Sequence, residues 1–390
     1  MKILYVYGMS ENENIVETLD KMGYEVLEYL KVMNNSIMIQ EEIDEVVNFI
    51  KEQEITHLMS IHLIFSISVA AYWAGIKYIP IIWDAPYLKA YTVMGKLDNI
   101  WYSSFDKLDC QRMRDGGCPH VLYQPLSVNT DNISKWNSKA RVNGKYISDI
   151  SFVASLYEKN DYDRDLDKIP SNMQDYFRSI FEDAAFRWDG VNRVYGQTGK
   201  EIIEYINLVS PEFKFTNPYE IEDVRYFEVA YLIRKLANIE RVCVLNMLAE
   251  NHDIVLYTNS EVDAAMLPGV RIMPPVPAGE ISSFVFAGSK INLNISLKGI
   301  EGGTPQRIMD VLGAGGFVLT NYCEETAELF EEDKEIVMFR SPEELVEKVD
   351  YYLSHDEERE QIAMAGHKKV MECYTYEKKL HQLLDWVENA

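Results

Sequence analysis

Between Lys290 and Asn321 the chain reads KINLNISLKGIEGGTPQRIMDVLGAGGFVLTN, which is a strand, a glycine-bearing loop, a short helix and a second strand. Strands joined through a helix pair in parallel, so this stretch calls for an α/β architecture. Asn292 to Leu297 alternate as a half-buried strand does, and Gly302 and Gly303 let the backbone come close to a ligand. Thr304 reads as the N-cap and Pro305 as the first helical residue. Such a helix turns free N–H groups and the positive end of its dipole toward the space above the loop, which favours a phosphate. Lys298 and Arg307 flank that space, and Asp310, one turn past Arg307, is placed to accept hydrogen bonds from ribose hydroxyls. Phosphate with ribose points to a nucleotide, although an ordinary capped helix with a surface Arg–Asp pair has the same letters. Neither the P-loop spacing nor an N-terminal dinucleotide fingerprint is present, so an ATPase and a dinucleotide enzyme are not indicated.

The first third repeats the alternation. Strands ILYVYG, YEVLEYL, THLMSIH and KYIPIIW alternate with helices over Ile15–Met22, Gln40–Gln53 and Ile64–Trp73. Ligands of such sheets gather beyond the carboxyl ends of the strands, which directs attention to Gly8, Ser10, His62 and Asp84, all expected to face one cleft. Two more strands, NIWYSSF and HVLYQPL, flank a helix containing Lys107–Arg114, and the polar run Thr130–Gly144 reads as a connection between domains. A second domain then opens with YISDISFVA. Helical patterns over Met173–Ala185, Glu201–Leu208 and Val224–Leu248 form an insertion at about 158–250 that would cover a ligand site, shape an acceptor groove or make a homodimer. The sheet resumes with DIVLYT, VRIMPPV, the stretch described first, and IVMF. Ser341 and Glu344 form a capping box ahead of Leu345, Val349 and Leu353, and a last helix covers Tyr376–Glu388. The expected division is 1–140, 145–374, and a terminal helix over 375–390.

A formal charge of −24 with no basic stripe argues against nucleic acid and anionic membranes as partners. No apolar run is long enough to span a bilayer, and MKILYVYG reads as a strand and not a signal peptide, so a cytoplasmic protein without stable membrane insertion is expected. The five scattered cysteines fit reduced thiols; Cys110, Cys118 and His120 lack a fourth ligand for zinc, and buried thiols are the simpler reading. Asp161-Tyr162-Asp163 has the letters of a DxD metal motif but reads as a solvated, charged loop.

Several segments together resemble the CgeB-like (spore maturation protein-like) glycosyltransferases: DISFVASLY from Asp149, HDIVLYT from His252, the Ser289–Asn321 stretch, and the tail FRSPEELVEKVDYYLSHDEEREQIAMAGHKKV from Phe339. WDAP at Trp83 and VLYQPLSVN at Val121 extend the likeness more weakly. The resemblance implies the GT-B fold, two Rossmann-like domains facing a central cleft, the first taking the acceptor and the second a nucleotide sugar. It also implies a terminal helix that crosses back to the first domain. The activity implied is transfer of a hexosyl or N-acetylhexosaminyl group from a nucleoside diphosphate sugar, UDP-linked, to a hydroxyl of a protein or surface glycan precursor. No cofactor or metal is required, because a helix start and basic side chains steady the leaving diphosphate.

By the same resemblance Lys298 and Arg307 would hold the phosphates, Gly302, Gly303 and Thr304 would approach the sugar phosphate, and Asp310 would hold the ribose. Ser155 and Tyr157 would reach the phosphates from the other side, and Tyr257 and Thr258 the base or ribose. Many retaining members carry an E-x7-E motif; Glu301 stands one residue too far upstream of Asp310 for strict spacing, which puts its sugar contact in doubt. An inverting reaction needs a general base from the first domain, for which Asp84 is preferred over His62. As plain structural residues, Asp84 would be a turn residue and His62 a satisfied buried histidine. The alternatives carried beside this reading are a sugar-nucleotide epimerase of the same fold and an inactive nucleotide-sugar-binding scaffold.

Overall fold

The computed structural model describes residues 1–8, 13–33, 38–130, 145–210, 227–263, 265–277 and 280–389. Its strands make two six-stranded sheets in which every pairing is parallel. The chain divides into two compact units, one of Met1–Ser127 with Tyr374–Ala390 and other residues, the second built mainly from Val128–Thr216 and Asp223–Cys373.

The first unit contains β1 (Lys2–Val6), β2 (Glu25–Tyr29), β3 (His57–Ile61), β4 (Lys77–Ile82), β5 (Trp101–Ser104) and β6 (His120–Tyr123), in the order β2-β1-β3-β4-β5-β6. Strand β3 is buried at every position and β4 at all but its first, as parallel strands covered on both faces must be. The period of two in β1 separates the layers. Leu4 and Val6 join the core under helices Gln40–Glu52 and Phe65–Ala74, while Ile3 and Tyr5 join the core under helix Glu13–Lys21 and the terminal helix Tyr376–Asn389. The terminal helix buries Leu380, Leu383, Leu384 and Val387, the i, i+3, i+4, i+7 stripe of an amphipathic helix. Each such side chain contributes about 2 kcal/mol on burial. Polar contacts fix its angle: the Lys77 ammonium donates to the Val387 carbonyl, His57 Nε2 lies 3.1 Å from Glu388, and Gln124 donates to the Lys379 carbonyl at 3.2 Å.

The second unit contains β7 (Ser148–Val153), β8 (Ile254–Tyr257), β9 (Val270–Met273), β10 (Ser289–Asn294), β11 (Val318–Asn321) and β12 (Val337–Phe339), in the order β12-β11-β10-β7-β8-β9. The order reverses between β7 and β10, where the crevice of such a sheet opens. Strand β10 departs from the expected alternation. It stops at Asn294, and its asparagines are buried with its apolar residues: Asn292 accepts from Ser151 at 2.9 Å, and Asn294 donates to Thr320 at 2.9 Å. A central strand buries both faces, and its polar residues remain there because their hydrogen bonds are met across the sheet.

Between β7 and β8 lies the insertion, with helices Asp161–Asp165, Ser171–Ala184, Lys200–Val209 and Arg234–Ala249, the last preceded by a π-helical turn Glu228–Ile233. It has its own core, in which Tyr162, Phe177, Phe181, Phe227 and Tyr231 meet ring to ring. Asp161-Tyr162-Asp163 is therefore the start of a short helix and not a solvated loop. Asn160 caps it, Tyr162 is buried, and Asp163 pairs with Lys235 at 2.8 Å. Cys110 and Cys118 are buried thiols donating toward the Ser104 and Ala90 carbonyls, while His120 stacks on Trp101. The capping box holds at Ser341, whose hydroxyl accepts from the Glu344 amide at 3.2 Å. Helices Glu280–Gly288 and Asp356–Cys373 stand beyond the elements read from the sequence. Ser10, the connection over 131–144 and the first residues of the Val224–Leu248 pattern lie outside the described residues. Among the described residues no helix is long and apolar enough to cross a membrane.

Candidate functional site

In the second unit the strand ends at the β7/β10 reversal carry the candidate residues. After β10 the loop runs through Lys298, Glu301, Gly302 and Gly303 into helix Gln306–Gly313. Thr304 is not its N-cap. Pro305 takes that position with extended backbone, and no side chain caps the helix start. The Thr304 hydroxyl is drawn instead to the buried carboxylate of Glu325 and lies 3.0 Å from that of Thr326. A charged acceptor outcompetes a backbone amide, so the helix begins one residue later than expected.

Arg307, in the first turn, is half-buried with its guanidinium 5.1 Å from the centre of the Phe286 ring. Among the described residues no carboxylate lies within ion-pairing distance of it. Burial pulls its pKa below the ordinary value, against the opposing pull of Asp310 one turn on. Asp310 accepts from Gln306 Nε2 at 2.7 Å, and burial raises its carboxyl above the ordinary range.

Lys298 is placed differently from Arg307. Its ammonium donates to the carbonyls of Ala184 and Arg187 at 2.5 and 2.7 Å and lies 3.2 Å from the carboxylate of Glu240. With 11% of the lysine side chain and 1% of the glutamate exposed, this is a buried ion pair. The lysine charge faces Glu240 and ties the β10 loop to the insertion, so a phosphate would compete with that carboxylate for it. That partner, a glutamate 58 positions upstream (298 − 240), is not visible in local spacing. Lys298, Glu301 and Gly303 line a cleft with Trp188, Asn192 and Tyr322, so a loop of the insertion forms one wall of it.

On the β7 side, Ser155 and Tyr157 form a tight turn. Ser155 Oγ accepts from the Tyr157 amide at 3.2 Å, Ser260 Oγ accepts from the Leu156 amide at 2.8 Å, and Tyr157 sits at φ 53°, where non-glycine residues are uncommon. Beside it, Tyr257 ends β8, and Thr258 is buried with its hydroxyl accepting from the Ser260 amide at 3.0 Å. Thr258 thus shapes the turn. Beneath these loops lies a residue that no sequence motif singles out. Arg241, on helix Arg234–Ala249, donates to the Ser155 carbonyl at 2.5 Å and to the Ile295 carbonyl at 2.6 Å. An arginine inside an otherwise apolar helical stripe was the available signal.

In the first unit His62 and Asp84 meet. They follow β3 and β4, and His62 Nε2 lies 3.4 Å from Asp84 Oδ2. His62 has a left-handed backbone at φ 61°, held by its amide donating to Ile81 at 2.9 Å and by Ser60 donating to its carbonyl at 2.7 Å. Its ring stacks on Tyr87 at 5.5 Å. Burial lowers the His62 pKa, against the opposing pull of Asp84. The imidazole is 11% exposed and the Asp84 side chain 78%, so the carboxylate faces solvent while the neutral ring orients it from behind.

Residues 241–385 match the family model described as glycosyl transferase-like. No curated protein matches the chain. Among solved structures it is similar to the sucrose-phosphate synthase of Thermosynechococcus elongatus, with 7% identity, 99% of each chain covered and a TM-score of 0.56. It is also similar to Anabaena HepE in complex with UDP-glucose, with 9% identity, 100% of each chain covered and a TM-score of 0.54. T4 phage BGT in complex with its UDP-glucose substrate aligns at 11% identity over 100% of this chain and 98% of that one, with a TM-score of 0.50. At these identities the likeness speaks to the fold: the chain has the two-sheet α/β fold of GT-B glycosyltransferases, and its segment 241–385 is similar to the glycosyl transferase-like family.

Proposed function

We propose that this protein is a glycosyltransferase that moves a sugar from a nucleoside diphosphate donor, uridine-linked, to an acceptor hydroxyl on a protein or surface glycan precursor, without a bound metal. The observation that carries the reading is the pair Arg307 and Arg241 at the strand-order reversal of the second unit. Among the described residues neither has a carboxylate within ion-pairing distance, and both lie within the segment similar to the glycosyl transferase-like family. Two cations near the loop and helix that follow β10 suit a diphosphate, and the charge that builds on the leaving group in the transition state is what they would stabilise. Asp310 would take the ribose hydroxyls and the Glu301–Gly303 cleft the sugar. Two of the similar structures were solved with UDP-glucose, which supports a UDP-linked hexose over other donors.

In this reading Asp84 is the general base. Its carboxylate removes the acceptor proton as the hydroxyl oxygen attacks the anomeric carbon, and His62 holds it in place and limits its rotation. The sequence segments quoted above place the chain, as a proposal, in the CgeB-like group. A thermal-shift screen against nucleotides and nucleotide sugars, repeated in chelator and followed by product analysis, tests the proposal. Stabilisation by a UDP-sugar that persists in chelator, with glycosylated product, is the expected result. An epimerised nucleotide formed without acceptor would identify an epimerase, and binding with no turnover a scaffold.

A further inference from the structure

Arg241 occupies an unusual position. It is 7% exposed, yet its two carbonyl acceptors belong to the loops that leave β7 and β10, the two strands between which the sheet order reverses. It therefore straps the two lips of the crevice together from below. One turn earlier on the same helix, Asn238 donates to the Leu156 carbonyl at 3.0 Å, so the i and i+3 positions of one helix face both hold the Ser155–Tyr157 turn. The guanidinium lies 5.2 Å from the Tyr157 ring centre, which favours the left-handed backbone of that residue.

Structure alone does not account for the charge. Among the described residues no carboxylate is within ion-pairing distance of Arg241, and its Nε has no hydrogen-bond acceptor. The nearest acidic residue in sequence, Glu240, is engaged by Lys298 and the Phe186 amide. Burial lowers the Arg241 pKa; the Tyr157 side chain and the Glu240 carboxylate oppose that shift, and Arg307 adds to it. A buried positive charge whose bonds go to two carbonyls and the Tyr157 side chain, with no carboxylate in ion-pairing distance among the described residues, is costly to hold, and an anion at the site would offset that cost.

We propose that Arg241 is a positioning residue of the donor site, holding the Ser155–Tyr157 turn and the Ile295 carbonyl in register while its buried charge acts through space on the diphosphate of a nucleoside diphosphate donor. The inference rests on the donor reading above and adds to it a selectivity for the phosphate portion of the ligand over the nucleoside.

The test titrates UDP and uridine into the full chain carrying Arg241→Met or Arg241→Lys, with unfolding followed in parallel. In Arg241→Met the affinity for UDP should fall roughly tenfold or more while that for uridine holds, and Arg241→Lys should recover much of the UDP affinity. Equal losses for UDP and uridine, or no rescue by lysine, would show a merely structural strap and overturn the proposal, as would unchanged UDP affinity in the methionine variant. If the variants do not fold, the wild-type protein labelled with 15N-arginine decides: the slowly exchanging Nε–H of the buried arginine should shift on adding UDP and not uridine, and no shift overturns the charge role. Wild-type protein that binds no nucleoside diphosphate would fail earlier, at the donor reading itself.

Discussion

Replacing Lys298 with methionine separates a structural cation from a ligand-binding one. The substitution removes the only ammonium within ion-pairing distance of Glu240 among the described residues and leaves a carboxylate that is 1% exposed. Breaking one side of a buried pair costs about 3–5 kcal/mol, because the remaining charge is uncompensated. The acid then has one recourse, which is to take up a proton. Burial already raises the Glu240 pKa, and losing Lys298 removes the main opposing influence. A carboxyl whose folded pKa is raised binds more protons folded than unfolded, so the Lys298→Met protein should be least impaired near the unfolded carboxylate value of about 4.5 and progressively worse as pH rises through the higher folded value. Adding Glu240→Gln keeps an acceptor for the Phe186 amide, held at 3.0 Å, and deletes the stranded charge. The double variant should recover about 2–3 kcal/mol of the loss and show little of the pH dependence. Urea unfolding at pH 5 and pH 8, monitored by circular dichroism and tryptophan fluorescence, measures each term, and UDP affinity in the double variant should stay near that of the wild type. A double variant no more stable than the single one would refute the pairing. One that is stable but blind to UDP would return Lys298 to the phosphates.

Three other outcomes follow from the same geometry. Lys379, buried in the first unit with, among the described residues, only the Pro125 carbonyl as a hydrogen-bond partner of its ammonium, at 3.4 Å, is pulled by burial from 10.5 to about 7. The unfolded chain then binds more protons between those values, so wild-type stability should rise with pH across that window. Lys379→Met should stabilise by a few kcal/mol at pH 6 and by little at pH 10, and a pH-independent effect would exclude the buried charge as the cause. Asp84→Asn should leave UDP affinity intact and slow transfer about 10²–10⁴-fold, whereas unchanged turnover would remove Asp84 from the chemistry. Leu383→Ala, in the fully buried stripe of the terminal helix, should cost about 2–5 kcal/mol without altering UDP binding, and a loss under 1 kcal/mol would mean the helix is not docked on the first sheet as described.

The parts of this fold legible in the sequence are those with a strong period. Strands β1, β3 and β4 are short apolar runs between helical patterns, and the topology follows because consecutive parallel strands need crossovers. The rule that ligands gather at strand ends brought His62 and Asp84 into view separately. Their 3.4 Å contact depends on the left-handed backbone of His62, which no residue pattern announces. The Thr304 cap failed for a similar reason: local propensity favoured the helix start, and a carboxylate 21 residues away took the hydroxyl. Lys298 and Arg241 show the same principle from two sides. Both are basic residues next to the crevice, and their partners, Glu240 for one and two main-chain carbonyls for the other, lie too far off in sequence for local spacing to announce them.

The most direct test of the central claim is calorimetric titration of UDP and UDP-glucose into the wild-type chain and into Arg307→Ala. The account predicts binding of both ligands by the wild type, undiminished in chelator, and a loss of roughly tenfold to a hundredfold in the variant at unchanged thermal stability, the range for a charge-assisted contact to phosphate. Equal affinity in the two proteins, or no binding by the wild type at millimolar ligand, would contradict it.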